Sequence, residues 1–278
     1  MPQEYSSIKL AVGVITFNNS PEELAFFASN LSAALKAVEH SSLPKIEFQL
    51  ISISNGDVSR WPALEIDHLE MQSRGNIGFA AAANAILQHA SELNFNSVLL
   101  ANPDGALHYN CLNEIIKAHN EHPCDLLEAR QFPEEHPKYY DPETGQTSWI
   151  SGACALIPLA SYRRIGEIDE QFFLYMEDID YSWRARAIGI NVRVVRKALF
   201  FHKVLGRHPS RATSNHSASS IVRFVHKWHG PKDLQRLGLE EVTRCGGGEI
   251  ILAAPSALTP VEHSVRDFSQ PYFGEGRW

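Results

Sequence analysis

The 278-residue sequence has no apolar run approaching the roughly 18 residues that a membrane-spanning helix needs, so no such helix is expected. Its start, Met1 to Ser7, lacks a basic cluster followed by an apolar stretch, and no secretory signal is expected either. Cysteine is scarce: Cys111, Cys124, Cys154 and Cys245 are scattered, without a Cys-x-x-Cys pair. Free thiols in a reducing cytosol are the expectation, rather than disulfides or a zinc knuckle. Gly-x-Gly-x-x-Gly and Gly-Lys-Ser/Thr are missing, which removes dinucleotide-binding and P-loop readings. Gly-x-Ser-x-Gly and His-Glu-x-x-His are missing too, which removes the serine-hydrolase elbow and the zincin helix.

Negative charge is absent from one long segment. Between Asp180 and Asp233 there is no Asp or Glu, while eleven Lys and Arg residues fall inside, so the net −7 of the chain divides into +11 there and −18 elsewhere. Such a local excess points to an anionic partner: a diphosphate, an anionic membrane surface or nucleic acid. The plainer account is that these cations pair with acids elsewhere in the fold. No aromatic-interleaved RNA motif or recognition-helix pattern accompanies the segment, so no nucleic-acid partner is expected. The stretch from Arg196 to Lys232 is the candidate surface for peripheral contact with the inner face of a membrane.

With 44% hydrophobic residues, the chain can bury a full core. Leu10 to Phe17 is a short, β-branched apolar run of the kind that forms a strand buried on both faces. Ser20, Pro21 and two glutamates then open a helix whose apolar residues run from Leu24 to Val38 at helical spacing. Ile46 to Ile53 and the weaker Ile66 to Met71 read as strands, Gly78 to Leu93 as a helix, and Ser97 to Ala101 as a strand. This alternation implies βαβ units and a mostly parallel sheet. Ligands bind such sheets beyond the carboxyl ends of the strands, where the polar loops Thr16–Asn19, Ser54–Asp57 and Asn102–Gly105 fall. Past Leu127 the alternation breaks. Residues 131–148 read as a loop or hairpin over the site, Trp149 to Pro158 as a strand, and Glu177 to Ile188 as a helix. Two strand-like stretches follow, near Val192–Val195 and Ala198–Phe201, then a helix from Ser214 to Trp228.

Several residues could carry chemistry. Asp104 lies in a Pro-Asp-Gly turn, which is ordinary turn chemistry or a carboxylate placed to hold a hard divalent cation that bridges phosphates. Glu177, Asp178 and Asp180 crowd the start of a helix. Each acid stabilises such a terminus by roughly 0.3–1 kcal/mol, but three within four residues exceed that need. Their repulsion can raise a carboxylate into the range useful for a general base, and the apolar stretch Phe172 to Met176 would exclude water. His202, after an apolar strand, is either structural or a neutral metal ligand. Arg74-Gly-Asn-Ile-Gly-Phe-Ala80 has the look of a phosphate-cradling loop that opens a helix.

Taken in order, these motifs resemble the family 2 glycosyltransferases and, within them, the bacterial rhamnosyltransferase-like branch that builds surface polysaccharides. The resemblance covers roughly residues 8 to 229. It rests on Val14–Asn18, Ser54-Asn-Gly56, Arg74–Ala80 with Asn84, Leu99–Asp104, Ser151-Gly-Ala153, and Ile165 to Asp180 on through Arg184 to His202. It implies an α/β fold of the GT-A type: a mostly parallel nucleotide-binding sheet flanked by helices, with a smaller antiparallel acceptor-side portion. The implied domain spans 1–230, with a nucleotide-binding half at 8–105 and an acceptor and catalytic half at 106–230. A C-terminal tail would occupy 231–278.

By the same resemblance, Thr16, Phe17 and Asn18 border the nucleotide, Ser54 and Asn55 lie at the base pocket, and Arg74, Asn76 and Gly78 belong to the loop near ribose and diphosphate. Asn102-Pro-Asp104 stands where the family has its Asp-x-Asp metal motif, and Ser151 and Gly152 lie beside the donor sugar. Asp104 and His202 match metal ligands for Mg²⁺ or Mn²⁺. Asp178 matches the general base, with Glu177 and Asp180 in support. Two positions depart from the pattern: Ser54 replaces a base-reading aspartate, and Asn102 replaces the first aspartate of the metal motif.

The implied activity is inverting transfer of a sugar, rhamnose in the first instance, from a dTDP- or UDP-linked donor. The acceptor would be a hydroxyl of a saccharide or lipid-linked saccharide, in the cytoplasm, and a homo-oligomer is compatible. Two other classes stay open. A nucleotidyltransferase would need a basic, glycine-rich first loop, whereas Thr16 to Pro21 holds no cation. A non-catalytic nucleotide-sugar or glycan-binding subunit would bind donor without turnover.

Overall fold

The computed structural model describes residues 8–202, 210–252 and 267–268. The first half builds as its apolar pattern demands. Strand β1 (Ile8–Thr16) is buried along most of its length. Helix α1 (Pro21–Glu39) opens with a full capping box, in which Ser20 Oγ accepts from the Glu23 amide and the Glu23 carboxylate accepts from the Ser20 amide. Strands β2 (Ile46–Ser54) and β3 (Asp67–Gln72), helix α2 (Gly78–Glu92) and strand β4 (Ser97–Ala101) follow.

The second half comprises β5 (Gly105–Leu107), α3 (Cys111–Glu121), β6 (Leu126–Phe132), β7 (Cys154–Pro158), α4 (Leu159–Ile165), α5 (Glu177–Ala187), β8 (Val192–His202), α6 (Arg211–Lys227) and α7 (Lys232–Arg244). All strands among the described residues join one eight-stranded sheet in the order β3-β2-β1-β4-β7-β6-β8-β5. The run β3-β2-β1-β4 is parallel. β7 pairs antiparallel with β4 and β6, β8 is parallel to β6, and β5 closes the edge antiparallel to β8. The parallel half and the antiparallel extension both match the expected GT-A architecture.

Two apolar clusters pack on the sheet, one involving α1 and α3 and the other α2, α4 and α5. A third, with Trp149, Phe172, Met176, Ile179, Trp183, Phe224 and Trp228, joins α5 to α6. It anchors the helix whose first residues are Glu177 and Asp178. No helix among the described residues is long and apolar enough to cross a membrane, and the four cysteines are free thiols.

Four details correct the sequence reading. Trp149 to Ala153 is loop, and the strand begins at Cys154, because the amides of Ser151 and Gly152 donate to the carboxylates of Glu128 and Asp178 rather than to a ladder. Residues 131 and 132 complete β6; farther on, Tyr140 and Thr147 form an isolated antiparallel bridge. The two stretches at 192–201 are one continuous strand whose pairing with β6 shifts register at Ala129/Arg130. The helix expected from Ser214 starts at Arg211, because Ser210 caps it by accepting from the Thr213 amide. Within the basic segment, Arg184, Arg193 and Lys227 pair with Asp180, Asp125 and Asp169, so the pairing account holds for these three. Lys203 and Arg207 lie outside the described residues.

Candidate active site

The parallel arrangement brings the ends of β1, β2 and β4 to one edge. Thr16 is buried there, with its hydroxyl bonded to Ser59 Oγ and to the Ile53 carbonyl at 3.3 Å. Phe17 is 52% exposed, and Asn18, at φ 55°, turns its side-chain oxygen to the Asp57 amide at 3.3 Å. The aromatic face of Phe17 is thus open to a ligand while its neighbours are held. Ser54 is buried, and its hydroxyl lies 2.8 Å from Glu70 Oε1 and 2.9 Å from Ser59 Oγ. A carboxylate therefore stands next to the serine, supplied by the neighbouring strand β3.

Asn55 is turned to the loop at 73–78. Its Oδ1 accepts from the Ile77 amide at 2.9 Å and from Ser73 Oγ at 3.3 Å, and its Nδ2 donates to Asn76 Oδ1 and the Gly78 carbonyl at 3.1 Å each. It therefore fixes this loop, while Arg74 and Asn76 stay exposed. Gly78 has φ +84°, and a Cβ there would sit 2.5 Å from the Phe173 carbonyl oxygen. Only glycine lets the start of α2 approach the 172–176 segment this closely, and the Phe79 amide donates to that carbonyl at 2.9 Å.

Asn102, Asp104 and His202 come together across the β5–β8 pairing. His202 Nε2 lies 3.6 Å from Asp104 Oδ1 and 3.4 Å from Asn102 Nδ2. Its Nδ1 donates to Gln131 Oε1 at 2.9 Å, so that in a neutral ring the lone pair is on Nε2. The carboxylate oxygen is the donor type that suits Mg²⁺ or Mn²⁺, and an imidazole whose opposite ring nitrogen is held by a polar partner can stand beside it as a further ligand. On that donor chemistry the residues fit the implied metal.

The acidic cluster divides by direction. Tyr175 and Met176, at φ 67° and 70°, are non-glycine residues in the left-handed region just before α5. Each such residue costs of the order of 1–3 kcal/mol, and strain of this kind persists where the surroundings enforce it. Asp178 Oδ2 accepts from the Gly152 amide at 3.0 Å and Oδ1 from the Ile179 amide at 2.8 Å. Burial raises its pKa, against the lowering effect of these two amides and of the Lys138 cation. Glu177 is buried, its Oε2 has no hydrogen-bond partner among the described residues, and burial with the adjacent Asp178 pushes its pKa well up. Asp180 turns away: Arg184 Nε and Trp228 Nε1 donate to its two oxygens at 2.9 Å, and Lys227 Nζ sits 2.8 Å from Oδ1.

Asp178 and the histidine cluster meet through one loop. Gly152 donates to Asp178, and the next residue, Ala153, accepts from the Asn102 amide at 2.8 Å. Ser151 is buried, and its amide donates to Glu128 Oε2 at 3.0 Å. Glu128, Gln131 and Lys138 were not singled out from the sequence. The available signal was two polar side chains, Glu128 and Gln131, interrupting an apolar strand.

No family model matches the chain. An N-acetylglucosaminyl-diphospho-decaprenol L-rhamnosyltransferase of Mycobacterium tuberculosis is 29% identical over 93 residues, 32% of this chain and 30% of that protein. The low-salt glycan biosynthesis hexosyltransferase Agl10 of Haloferax volcanii is 25% identical over 162 residues, 50% of this chain and 52% of that one. The chain thus spans between about a third and a half of the length of these relatives. Among solved structures, S. aureus TarS 1–349 superposes with a TM-score of 0.58 at 14% identity, over 86% of this chain and 71% of that one. The Pyrobaculum calidifontis mannosyltransferase PcManGT, in complex with GDP-Man and Mn²⁺, gives 0.57 at 13% identity, over 85% and 70%. By its fold the chain is of the GT-A type, and over part of its length its sequence is similar to proteins named as glycosyltransferases.

Proposed function

We propose that this chain transfers a sugar from a nucleotide diphosphate donor to an acceptor hydroxyl with inversion, with Asp178 as general base. The observation that carries the reading is the setting of Asp178. Its carboxylate is steadied by two backbone amides, raised by burial, and tied through Gly152 and Ala153 to the Asn102–Asp104–His202 cluster. Each carboxylate oxygen holds one amide and keeps a second lone pair for an incoming hydroxyl. The acceptor O–H gives its proton to Asp178 while the oxygen forms a bond to the anomeric carbon. The bond from that carbon to the diphosphate oxygen breaks on the opposite face, and its electron pair leaves with the nucleoside diphosphate.

Asp104 and His202 would hold Mg²⁺ or Mn²⁺, which supplies charge to stabilise the leaving diphosphate. Phe17, Asn18 and Ser54 would border the base, and Arg74, Asn76 and Gly78 the ribose and diphosphate. Ser151 and Gly152 would lie beside the sugar. The mannosyltransferase described with GDP-Man and Mn²⁺ supports a nucleotide-sugar donor and a divalent cation. The mycobacterial relative, named for a diphospho-decaprenol substrate and for rhamnose, supports a lipid-linked saccharide acceptor and dTDP-rhamnose as the first donor to try. A lipid-linked acceptor would bring the chain to a membrane surface, with the exposed Arg196 and Lys197 as candidate contacts.

The test is a thermal-shift screen of dTDP-, UDP- and GDP-linked sugars with and without Mn²⁺, followed by assay of the released product with a saccharide acceptor. Transfer releases a nucleoside diphosphate. Release of pyrophosphate, or donor binding with no turnover against any acceptor, would overturn the reading.

A further inference from the structure

Glu128 and Lys138 form an ion pair with each side chain only 3% exposed. A buried pair of this kind contributes little to stability compared with apolar residues of the same volume. The remaining polar atoms of the pair point to another role. Glu128 Oε2 accepts from the Ser151 amide at 3.0 Å as well as from Lys138, and Glu128 Oε1 accepts from Gln131 Nε2 at 3.3 Å. Lys138 Nζ donates to the Trp149 carbonyl at 2.9 Å and lies 4.0 Å above the centroid of the Trp149 ring. The pair therefore grips residues 149 and 151, and the next amide, Gly152, is the one that holds Asp178 Oδ2. In the other direction, Gln131 passes the same fixation to His202 Nδ1.

We propose that Glu128 and Lys138 are a positioning pair that locks the Trp149–Gly152 loop against Asp178 and, through Gln131, sets the orientation of the His202 imidazole. The roles of Asp178 and His202 rest on the function proposed above; the hydrogen-bonded connections do not. The pair also sets the field at Asp178. The titratable groups around it are the adjacent Glu177 carboxyl on α5, Glu128 on β6 and Lys138 between β6 and β7, and of these Lys138 favours the ionised carboxylate while Glu128 opposes it. Removing the cation alone must shift Asp178 toward its protonated form.

The experiment follows Asp178 by carboxyl ¹³C NMR titration and His202 by imidazole ¹⁵N NMR in the wild type, Lys138→Met, Lys138→Arg and the apolar double variant Glu128→Leu/Lys138→Met. In Lys138→Met, Asp178 should titrate at higher pH than in the wild type, and Lys138→Arg should restore it. In the double variant His202 should lose its single Nδ1–H tautomer. If Lys138→Met does not fold, the double variant, which leaves no unpaired charge, carries the test. An unchanged Asp178 titration in Lys138→Met, or a single retained His202 tautomer in the double variant, overturns the proposal. In the transfer assay, kcat of the double variant should fall roughly tenfold or more, the scale on which groups supporting metal ligands act, with donor KM little changed. A rise in KM with kcat kept would mark a merely structural pair and overturn it too. A wild type that releases no nucleoside diphosphate would count against the proposed function, while the NMR readouts still judge the pair.

Discussion

Gln131 Oε1 accepts from His202 Nδ1 at 2.9 Å, and this one bond leaves His202 Nε2 as the nitrogen that looks at Asp104 Oδ1 across 3.6 Å. Partners of this kind raise the basicity of a metal-binding imidazole and fix its ring, and losing one typically lowers metal affinity ~10–100-fold. Gln131→Leu should therefore weaken Mn²⁺ binding in the presence of a nucleoside diphosphate by that factor. Calorimetric titration of Mn²⁺ into the variant and the wild type measures it. An unchanged affinity would separate His202 from the metal.

Asp178→Asn keeps the shape of the side chain and removes its capacity to take a proton. General-base catalysis contributes roughly 10²–10⁴-fold, and the loss should appear in kcat with donor binding preserved. The wild type should also show an acid limb in its pH–rate profile above the ordinary aspartate value of 3.8, because burial raises Asp178 and activity disappears as the base protonates. Steady-state kinetics between pH 4 and 9, with calorimetry of the bound donor, test both. Near-normal turnover in Asp178→Asn would remove the base from the mechanism.

Asp180 is fully buried between Arg184, Lys227 and the Trp228 indole, so it serves the junction of α5 and α6. Asp180→Ala leaves two cations facing an empty site. Breaking a buried pair in this way costs about 3–5 kcal/mol. Urea denaturation should show that loss, while the folded fraction binds donor as the wild type does. A variant of normal stability but greatly reduced kcat would assign Asp180 a direct part in the chemistry.

The parallel half was legible because each element carried a complete local signal: an unbroken β-branched run at β1, and a serine, a proline and two acids opening α1. The capping serine was visible as a letter before it was visible as a bond, whereas the return bond from Glu23 came only with the structure. The antiparallel half was read less well, and for a common reason. Strand β6 is LLEARQF, and its buried Glu128 and Gln131 break the apolar pattern by which strands are recognised. They are tolerated inside only because Lys138, Ser151 and His202, distant in sequence, satisfy them. Asp104, Asp178 and His202 stood out as chemistry-bearing types at suggestive places. The residues that contact them carry only the weak signal of polar side chains in an apolar strand, since those contacts exist only in the fold. Strand β5, at three residues, and helix α4, at seven, are too short for periodicity to declare them.

Glu177 gives a prediction about stability that does not depend on substrate. Its carboxyl is buried beside Asp178, and both effects hold its pKa well above the ordinary 4.5. Below pH 4.5 the folded and unfolded chains both carry the proton, and stability from this group is fully present. As pH rises past that value the unfolded chain releases the proton while the folded chain keeps it, so the wild type loses stability until the folded-state value is passed. A single such proton corresponds to at most about 1.4 kcal/mol per pH unit. Glu177→Gln cannot ionise and has no such pH-dependent loss. The variant should therefore gain on the wild type as pH rises from 5 to 8, and the two should converge in acid. Urea denaturation at pH 4, 5, 6, 7 and 8 measures the difference. Parallel pH profiles would mean that Glu177 ionises in the folded protein as readily as in the unfolded one, and would withdraw the buried, protonated carboxyl from beside the proposed base.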